Sequence, residues 1–226
     1  MKKIINIAID GPSGAGKSTI AKMLAARTGK TYLDTGALYR AVGLKAYRDG
    51  WPEDDAKVRE LLKDVRIEFR HDEKTGSQHV YLDGEDVSDE IRRDHISGYG
   101  SRFSALPSVR AALLEMQRRI ARERSVVMDG RDIGTCVLPN ADLKIFLTAS
   151  VDIRAARRYN ELKAKGEEVS PEEVRTDIKA RDERDMTRAV SPLRKADDAI
   201  EIDSGDMTPD EVVKKITALL GEKCQD

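Results

Sequence analysis

The sequence predicts an α/β protein: a doubly wound, five-stranded parallel sheet with a small antiparallel β insertion and a short helical lid. Three observations predict it. Short apolar runs at Ile4–Ile9, Lys30–Leu33, Ser125–Asp129, Asp142–Leu147 and Ala199–Asp203 alternate with longer, helix-patterned segments. The first run leads into a glycine-rich loop and then a helix, the order that opens many doubly wound sheets. Between residues 65 and 93 the apolar period falls to two around Asp83-Gly84, which marks an antiparallel hairpin set into the chain.

Each element has a local reason. Thr19–Ala26 continues the glycine-rich loop as a helix, and Gly29 suits its left-handed C-terminal position. Asp34 or Thr35 can cap the next helix, which runs to about Arg48 before Gly50-Trp51-Pro52 breaks it. Glu53–Asp64 reads as a helix with Val58, Leu61 and Leu62 on its apolar side. Val65–Arg70, His79–Leu82 and Glu85–Val87 are the strands of the insertion. Pro107–Arg124 is amphipathic, with Val109, Leu113, Met116 and Ile120 in one stripe. Val151–Lys165 and Pro171–Ala189 are helices dense in Arg, Lys, Glu and Asp. Thr208-Pro209-Asp210-Glu211 spells a capping box with proline at the first helical position, and Gly221 is expected to end that helix.

Composition narrows the function classes. The 226 residues suit one domain with room for a core, or one domain carrying insertions. Net charge is −1 and the isoelectric point about 6.4, so the chain carries no bulk basic field for nucleic acid. Charged residues reach 36% and aromatic residues only 4%, as salt-bridged helix faces would give. Met1-Lys2-Lys3 runs straight into the first strand, so no signal peptide is expected, and no apolar run approaches the ~20 residues of a membrane span. A cytoplasmic monomer without nucleic-acid or membrane partners is expected. Cys136 and Cys224 lack zinc-site spacing and read as reduced thiols. His71, His79 and His95 are scattered and read as solvated or structural.

The chemistry begins at Gly11-Pro12-Ser13-Gly14-Ala15-Gly16-Lys17-Ser18, which fits the phosphate-loop pattern G-x-x-x-x-G-K-[ST] without a mismatch. Its glycines permit positive φ and close backbone approach to a phosphate. The loop amides and the helix N-terminus, up to Thr19, then face the anion. Lys17 would reach the β- and γ-phosphates, and the Ser18 hydroxyl would ligate Mg²⁺. Asp129 closes an apolar strand, where a carboxylate can hold that Mg²⁺ directly or through water. The loop, Asp34-Thr35 and Asp129–Asp132 all follow strand ends, so they are expected at one crevice.

Arginine placement is the second signal. Arg40, Arg110 and Arg131 fall near the expected crevice; Arg154, Arg157 and Arg158 share one helix; Arg181, Arg184 and Arg188 recur at spacings of three and four, with Asp185 between them. Guanidinium forks match phosphate oxygens, and phosphoryl transfer needs positive charge and excluded water. No Ser-His-Asp or Cys-His arrangement is visible. A phosphate acceptor, already anionic near neutral pH, would need no dedicated base.

Together with Asp34-Thr35-Gly36-Ala37-Leu38-Tyr39-Arg40, Asp129-Gly130-Arg131-Asp132-Ile133-Gly134-Thr135 and Arg181–Arg188, the phosphate loop resembles the bacterial cytidylate kinase family in motif order and spacing. The resemblance covers nearly the whole chain. It implies a P-loop kinase that phosphorylates CMP and dCMP from ATP with Mg²⁺. It implies a core of residues 1–33, 94–153 and 190–226, a monophosphate-binding region of 34–93 and a lid of about 154–189. By motif, Gly11 through Thr19 with Arg154, Arg157 and Arg158 would contact ATP. Thr35, Arg40, Arg131, Arg181 and Arg188 would surround the acceptor's phosphate, Ser101, Arg110 and Asp132 would read cytosine, and Asp185 would hold the sugar. Lys17, Arg131, Arg181 and Arg188 would be catalytic. The family often has Ser where Thr35 stands; the hydroxyl survives. Cytosine offers N3 and O2 acceptors beside an N4 donor, so an Arg and a carboxylate complement its edge. A shikimate kinase-like enzyme or a non-catalytic ATP-binding regulator are the alternatives.

Overall fold

A computed structural model describes residues 3–71 and 78–223 of the chain. In order, the elements are β1 (Ile7–Asp10), α1 (Lys17–Thr28), β2 (Thr31–Asp34), α2 (Thr35–Asp49), α3 (Asp55–Leu61), β3 (Ile67–His71), β4 (Gln78–Leu82) and β5 (Glu85–Asp86). Then follow α4 (Asp94–Phe103), α5 (Pro107–Glu123), β6 (Val126–Gly130), β7 (Leu143–Thr148), α6 (Val151–Ala164), α7 (Pro171–Thr187), β8 (Ile200–Asp203) and α8 (Pro209–Lys223). The five strands expected of the main sheet are present in the order β2-β6-β1-β7-β8, and β3-β4-β5 form a separate three-stranded sheet. β1 runs parallel to β6 and β7, and β7 parallel to β8. Helices cover both faces of such a sheet, so central strands read as unbroken apolar runs; Ile7, Ala8 and Ile9 are wholly buried.

The described residues fall into two compact units, 3–31 with 124–223, and 32–71 with 78–123. In the first, Gly29 caps α1 in the left-handed region (φ 63°), and Thr208 with Glu211 forms the expected capping box at α8. A second box, Ser170 with Glu173, opens α7. α6 and α7 bury Ala155, Leu162, Val174 and Ile178 against each other. Two boundaries differ from expectation. α8 passes through Gly221 to Lys223, its buried apolar face reaching Leu220. α7 stops at Thr187, where Arg188 turns to extended backbone (φ −58°, ψ 141°), so Arg188 is not on the helix.

In the second unit, β3 and β4 pair antiparallel, and Asp83 (φ 51°) with Gly84 (φ 91°) makes the two-residue turn into β5. Asp34 is the cap of α2, accepting from the Ala37 amide. Of the expected apolar side of α3, Val58 is buried but Leu61 is 38% exposed, because regular α-helix ends there. The sequence pattern places no element over 94–106, yet α4 forms. Its glycines are poor helix formers, and tertiary packing supplies the reason. A Cβ on Gly43 would sit 2.4 Å from the Gly100 nitrogen, so only two glycines let α2 and α4 pack this closely. Ile96, Phe103, Val109 and Leu113 share one apolar cluster with Leu38, Val42 and Leu44. Residues 94–123, counted with the core from sequence, therefore pack in this unit. The side chain of His71, the insertion residues 72–77 and Cys224 lie outside the described residues.

Candidate active site

The loop after β1 has the backbone its spelling demands. Gly11, Gly14 and Gly16 have φ of 149°, 76° and 89°. A Cβ on Gly11 would lie 1.9 Å from the Leu147 carbonyl oxygen, so no other residue fits there. Gly16 caps α1 with no side-chain cap hydrogen bond, so the first amides of the helix are not taken by a capping side chain. Lys17 Nζ donates to the Pro12 carbonyl at 2.6 Å and is 6% exposed. Burial, and then the nearby Arg131 charge, hold its amine well below the ordinary lysine range. Ser18 Oγ donates to Asp129 Oδ2 at 2.8 Å.

Three further residues, none singled out from sequence, frame the loop. Asp10, at the end of β1, accepts from the amides of Ile133 (2.8 Å) and Gly134 (2.7 Å). Burial pushes its carboxyl up to about 6 despite those bonds. The Ile133–Val137 turn it holds is a wide helical one, directly after Arg131 and Asp132. Ser204, after β8, places its hydroxyl 3.1 Å from the carbonyls of both Ala15 and Thr148. Asp182 on α7 accepts from the Ser13 amide at 3.3 Å and from Arg154 Nη1 at 2.5 Å.

The same unit gathers the carboxylates and arginines of the later motifs. Arg131 Nε donates to Asp185 Oδ2 at 2.7 Å. Burial would raise the Asp185 carboxyl, but Arg131, Arg181 and Arg188 hold it below the usual carboxylate range. Arg188 lies 3.5 Å from Asp132 and 3.7 Å from Asp185, and its Nε donates to the Ser191 carbonyl. Arg181 contributes to the positive field at Lys17. The arginines of α6 turn to protein groups here. Arg154 bonds the carbonyls of Ala149 and Ser13, Arg157 bonds Ser204, and Arg158 pairs with Glu161.

The second unit holds the remaining expected residues. Thr35 is 2% exposed at the start of α2. Arg40 Nη2 donates to Asp34 at 2.7 Å. A Cβ on Gly100 would lie 3.0 Å from the Arg40 Cα, so the same glycine contact sets Arg40 beside α4, which carries Ser101. The Ser101 carbonyl accepts from Ser104 Oγ, and the Ser104 carbonyl accepts from Arg110, which also lies over the Tyr39 ring. His79 pairs with Asp86, and His95 packs its ring on Tyr47; both are surface contacts.

Among the described residues no cluster of three or more His, Cys, Asp or Glu could by itself hold a metal ion. The Ser18–Asp129 pair nonetheless fits Mg²⁺, which favours hard oxygen donors and takes only one or two from protein when phosphates supply the rest. Among them, no helix is long and apolar enough to cross a membrane.

A family model described as cytidylate kinase matches residues 7–222. The chain belongs to the cytidylate kinase family. It is 51% identical over 220 residues to a cytidylate kinase of Caldicellulosiruptor bescii, covering 97% of this chain and 96% of that one. It is 49% identical over 218 residues to a cytidylate kinase of Geobacter sulfurreducens, covering 96% and 93%. A crystal structure of an uncharacterized protein from Eubacterium ventriosum has the same fold, with TM-score 0.53 and 17% identity, covering 97% of this chain and 99% of that one. Family membership makes this chain a phosphotransferase with a phosphate group as acceptor.

Proposed function

We propose that this chain transfers the γ-phosphoryl group of ATP to the phosphate of CMP or dCMP, giving ADP and CDP or dCDP. The observation that carries this reading is the intact phosphate loop, with Lys17 and the Ser18–Asp129 pair at the N-terminus of α1, in a member of the cytidylate kinase family. An oxygen of the acceptor phosphate attacks the γ-phosphorus, and the bond to the β,γ-bridging oxygen breaks. The attacking oxygen is already anionic, so no protein base is required. Lys17, whose amine burial and then Arg131 hold well below the ordinary lysine range, finds in the donor's phosphates a counter-charge that favours the ammonium. Arg131, Arg181 and Arg188 steady the charge on the moving group. Mg²⁺, held by Ser18 and by Asp129 directly or through water, would neutralise charge on the β- and γ-phosphates.

Thr35 and Arg40 are assigned to the acceptor's phosphate, Ser101, Arg110 and Asp132 to cytosine, and Asp185 to the sugar. Gly11 through Thr19 are assigned to ATP. Residues 154–189 act as the lid and 34–93 as the acceptor-binding region. The protein works as a cytoplasmic monomer on two small nucleotides.

A coupled ADP-release assay with CMP, dCMP, UMP, AMP and dTMP tests the reading. Turnover is expected with CMP and dCMP and should vanish when Mg²⁺ is chelated. Turnover with AMP or dTMP above that with CMP overturns the acceptor assignment. ATP binding without transfer to any monophosphate overturns the transfer itself.

A further inference from the structure

Asp182 has no part in the transfer chemistry above, yet it is 7% exposed and held on two sides. Its Oδ1 accepts from the Ser13 backbone N–H at 3.3 Å, and its Oδ2 accepts from Arg154 Nη1 at 2.5 Å. The same Nη1 donates to the Ser13 carbonyl at 3.0 Å, while Arg154 Nε donates to the Ala149 carbonyl at 2.9 Å. Both backbone polar groups of Ser13 are therefore held by one ion pair, whose members stand on α6 and α7. The stem of Arg154 also fills the space beside the loop: a Cβ on Gly14 would lie 3.1 Å from the Arg154 Cβ. Burying two charges is costly unless each is fully bonded, so a buried pair seldom serves stability alone. Ser13 itself is only half-buried, and its two backbone bonds to the pair are part-buried. What the ion pair adds is position.

We propose that Asp182 is a positioning residue of the phosphate loop: through Ser13 and Arg154 it ties the loop's shape to α6 and α7. The loop then holds its phosphate-binding geometry only while these helices stay docked on it. This rests on the reading of the loop as the donor site and goes beyond it by naming what sets the loop's shape.

Asp182→Asn keeps the volume but removes the charge, and one amide oxygen cannot serve both Ser13 and Arg154. In calorimetric titration with Mg²⁺–ADP, the folded variant should bind at least about tenfold more weakly than the parent chain. Its KM for ATP should rise in step while its KM for CMP stays within about twofold, a split that general loosening would not give. ADP affinity within twofold of the parent, or an equal rise in both KM values, overturns the proposal. Arg154→Lys cuts the same relay from its other end and should give the same selective loss. If Asp182→Asn does not fold, Arg154→Lys decides alone, and unchanged ADP affinity in it overturns the proposal. Absence of CMP turnover in the parent chain would sink the acceptor assignment, while the ADP titration would still test Asp182 by itself.

Discussion

In the phosphate loop, Lys17 is 6% exposed and a backbone carbonyl takes its hydrogen bond; in the insertion, the Glu85 side chain is 57% exposed and Arg48 grips its carboxylate. Both are hydrogen-bonded charges close to a turn rich in positive φ, yet they rest on different supports. Around the loop, each contact has one solution. Gly11 cannot carry a side chain, Asp10 meets two amides, and Asp182 meets one amide and one guanidinium. Around the insertion, Arg48 bonds Glu85 and Glu90, and Lys45 bonds Asp49 and Asp83, all in contact with solvent. Water can replace any one of those partners at small cost. The difference separates a region built to hold an anion in one geometry from one built to hold a small sheet in place.

Four substitutions would break or sharpen that contrast, in falling order of effect. Lys17→Ala should lower kcat by about 10³-fold or more, because it strips charge from the transferring phosphates. Its melting temperature should change little, and near-normal turnover would remove the loop from the chemistry. Gly11→Ala should cost about 3 kcal/mol of stability or more, since its Cβ meets a backbone carbonyl that cannot swing away. A melting curve matching the parent's would show that the loop yields after all.

Asp10→Asn removes the titrating charge together with one of the two accepted amide bonds, and the pH dependence isolates the charge. The Asp10 carboxyl is raised by burial to about 6 in the folded chain, against 3.8 when exposed. The fold therefore favours the protonated form. That contribution is complete below about pH 4 and is lost as pH rises through about 6, a span of roughly 3 kcal/mol. Denaturant titrations between pH 4 and 7 should show the parent losing stability relative to Asp10→Asn across that window. Parallel curves would mean the buried carboxyl is charged throughout. Glu85→Gln should be the mildest, moving the melting temperature by no more than about 2 °C, and still less at high salt. A larger loss would show that the insertion depends on its surface pairs.

Local signals in the sequence suffice for the main sheet, the hairpin at Asp83-Gly84, the caps at Asp34 and Thr208 and the left-handed stop at Gly29, because each is decided within a few residues. The meeting of Ser18 with Asp129 is legible too, since the loop and the apolar strand that carry them fix both positions. α4 is not, because its glycines argue against a helix and only their fit against α2 argues for one. The spacing of Arg188 from Arg184 is helical, which predicts helix at Arg188. Yet α7 ends at Thr187, and the left-handed Ser191 follows within the same short segment. Asp182 lies inside the Arg181–Arg188 motif, but its partners Ser13 and Arg154 lie 169 and 28 positions away. No period or propensity joins residues at such distances. Asp10 is hidden differently: it closes an apolar strand and reads as the strand's polar end, and its bonds reach 123 and 124 residues along the chain.

Ser204 carries a consequence of another kind. It touches Ala15 across 189 residues, and Arg157 grips both its hydroxyl and its carbonyl. A chain emerging from the ribosome makes the loop within its first tenth, but makes the residue that braces it only near the end. A nascent or truncated chain that stops before residue 204 can own every letter of the nucleotide-binding motif and still lack the support behind it. The loop's bond to Ser204 can thus close only once the last strand has been laid into the sheet.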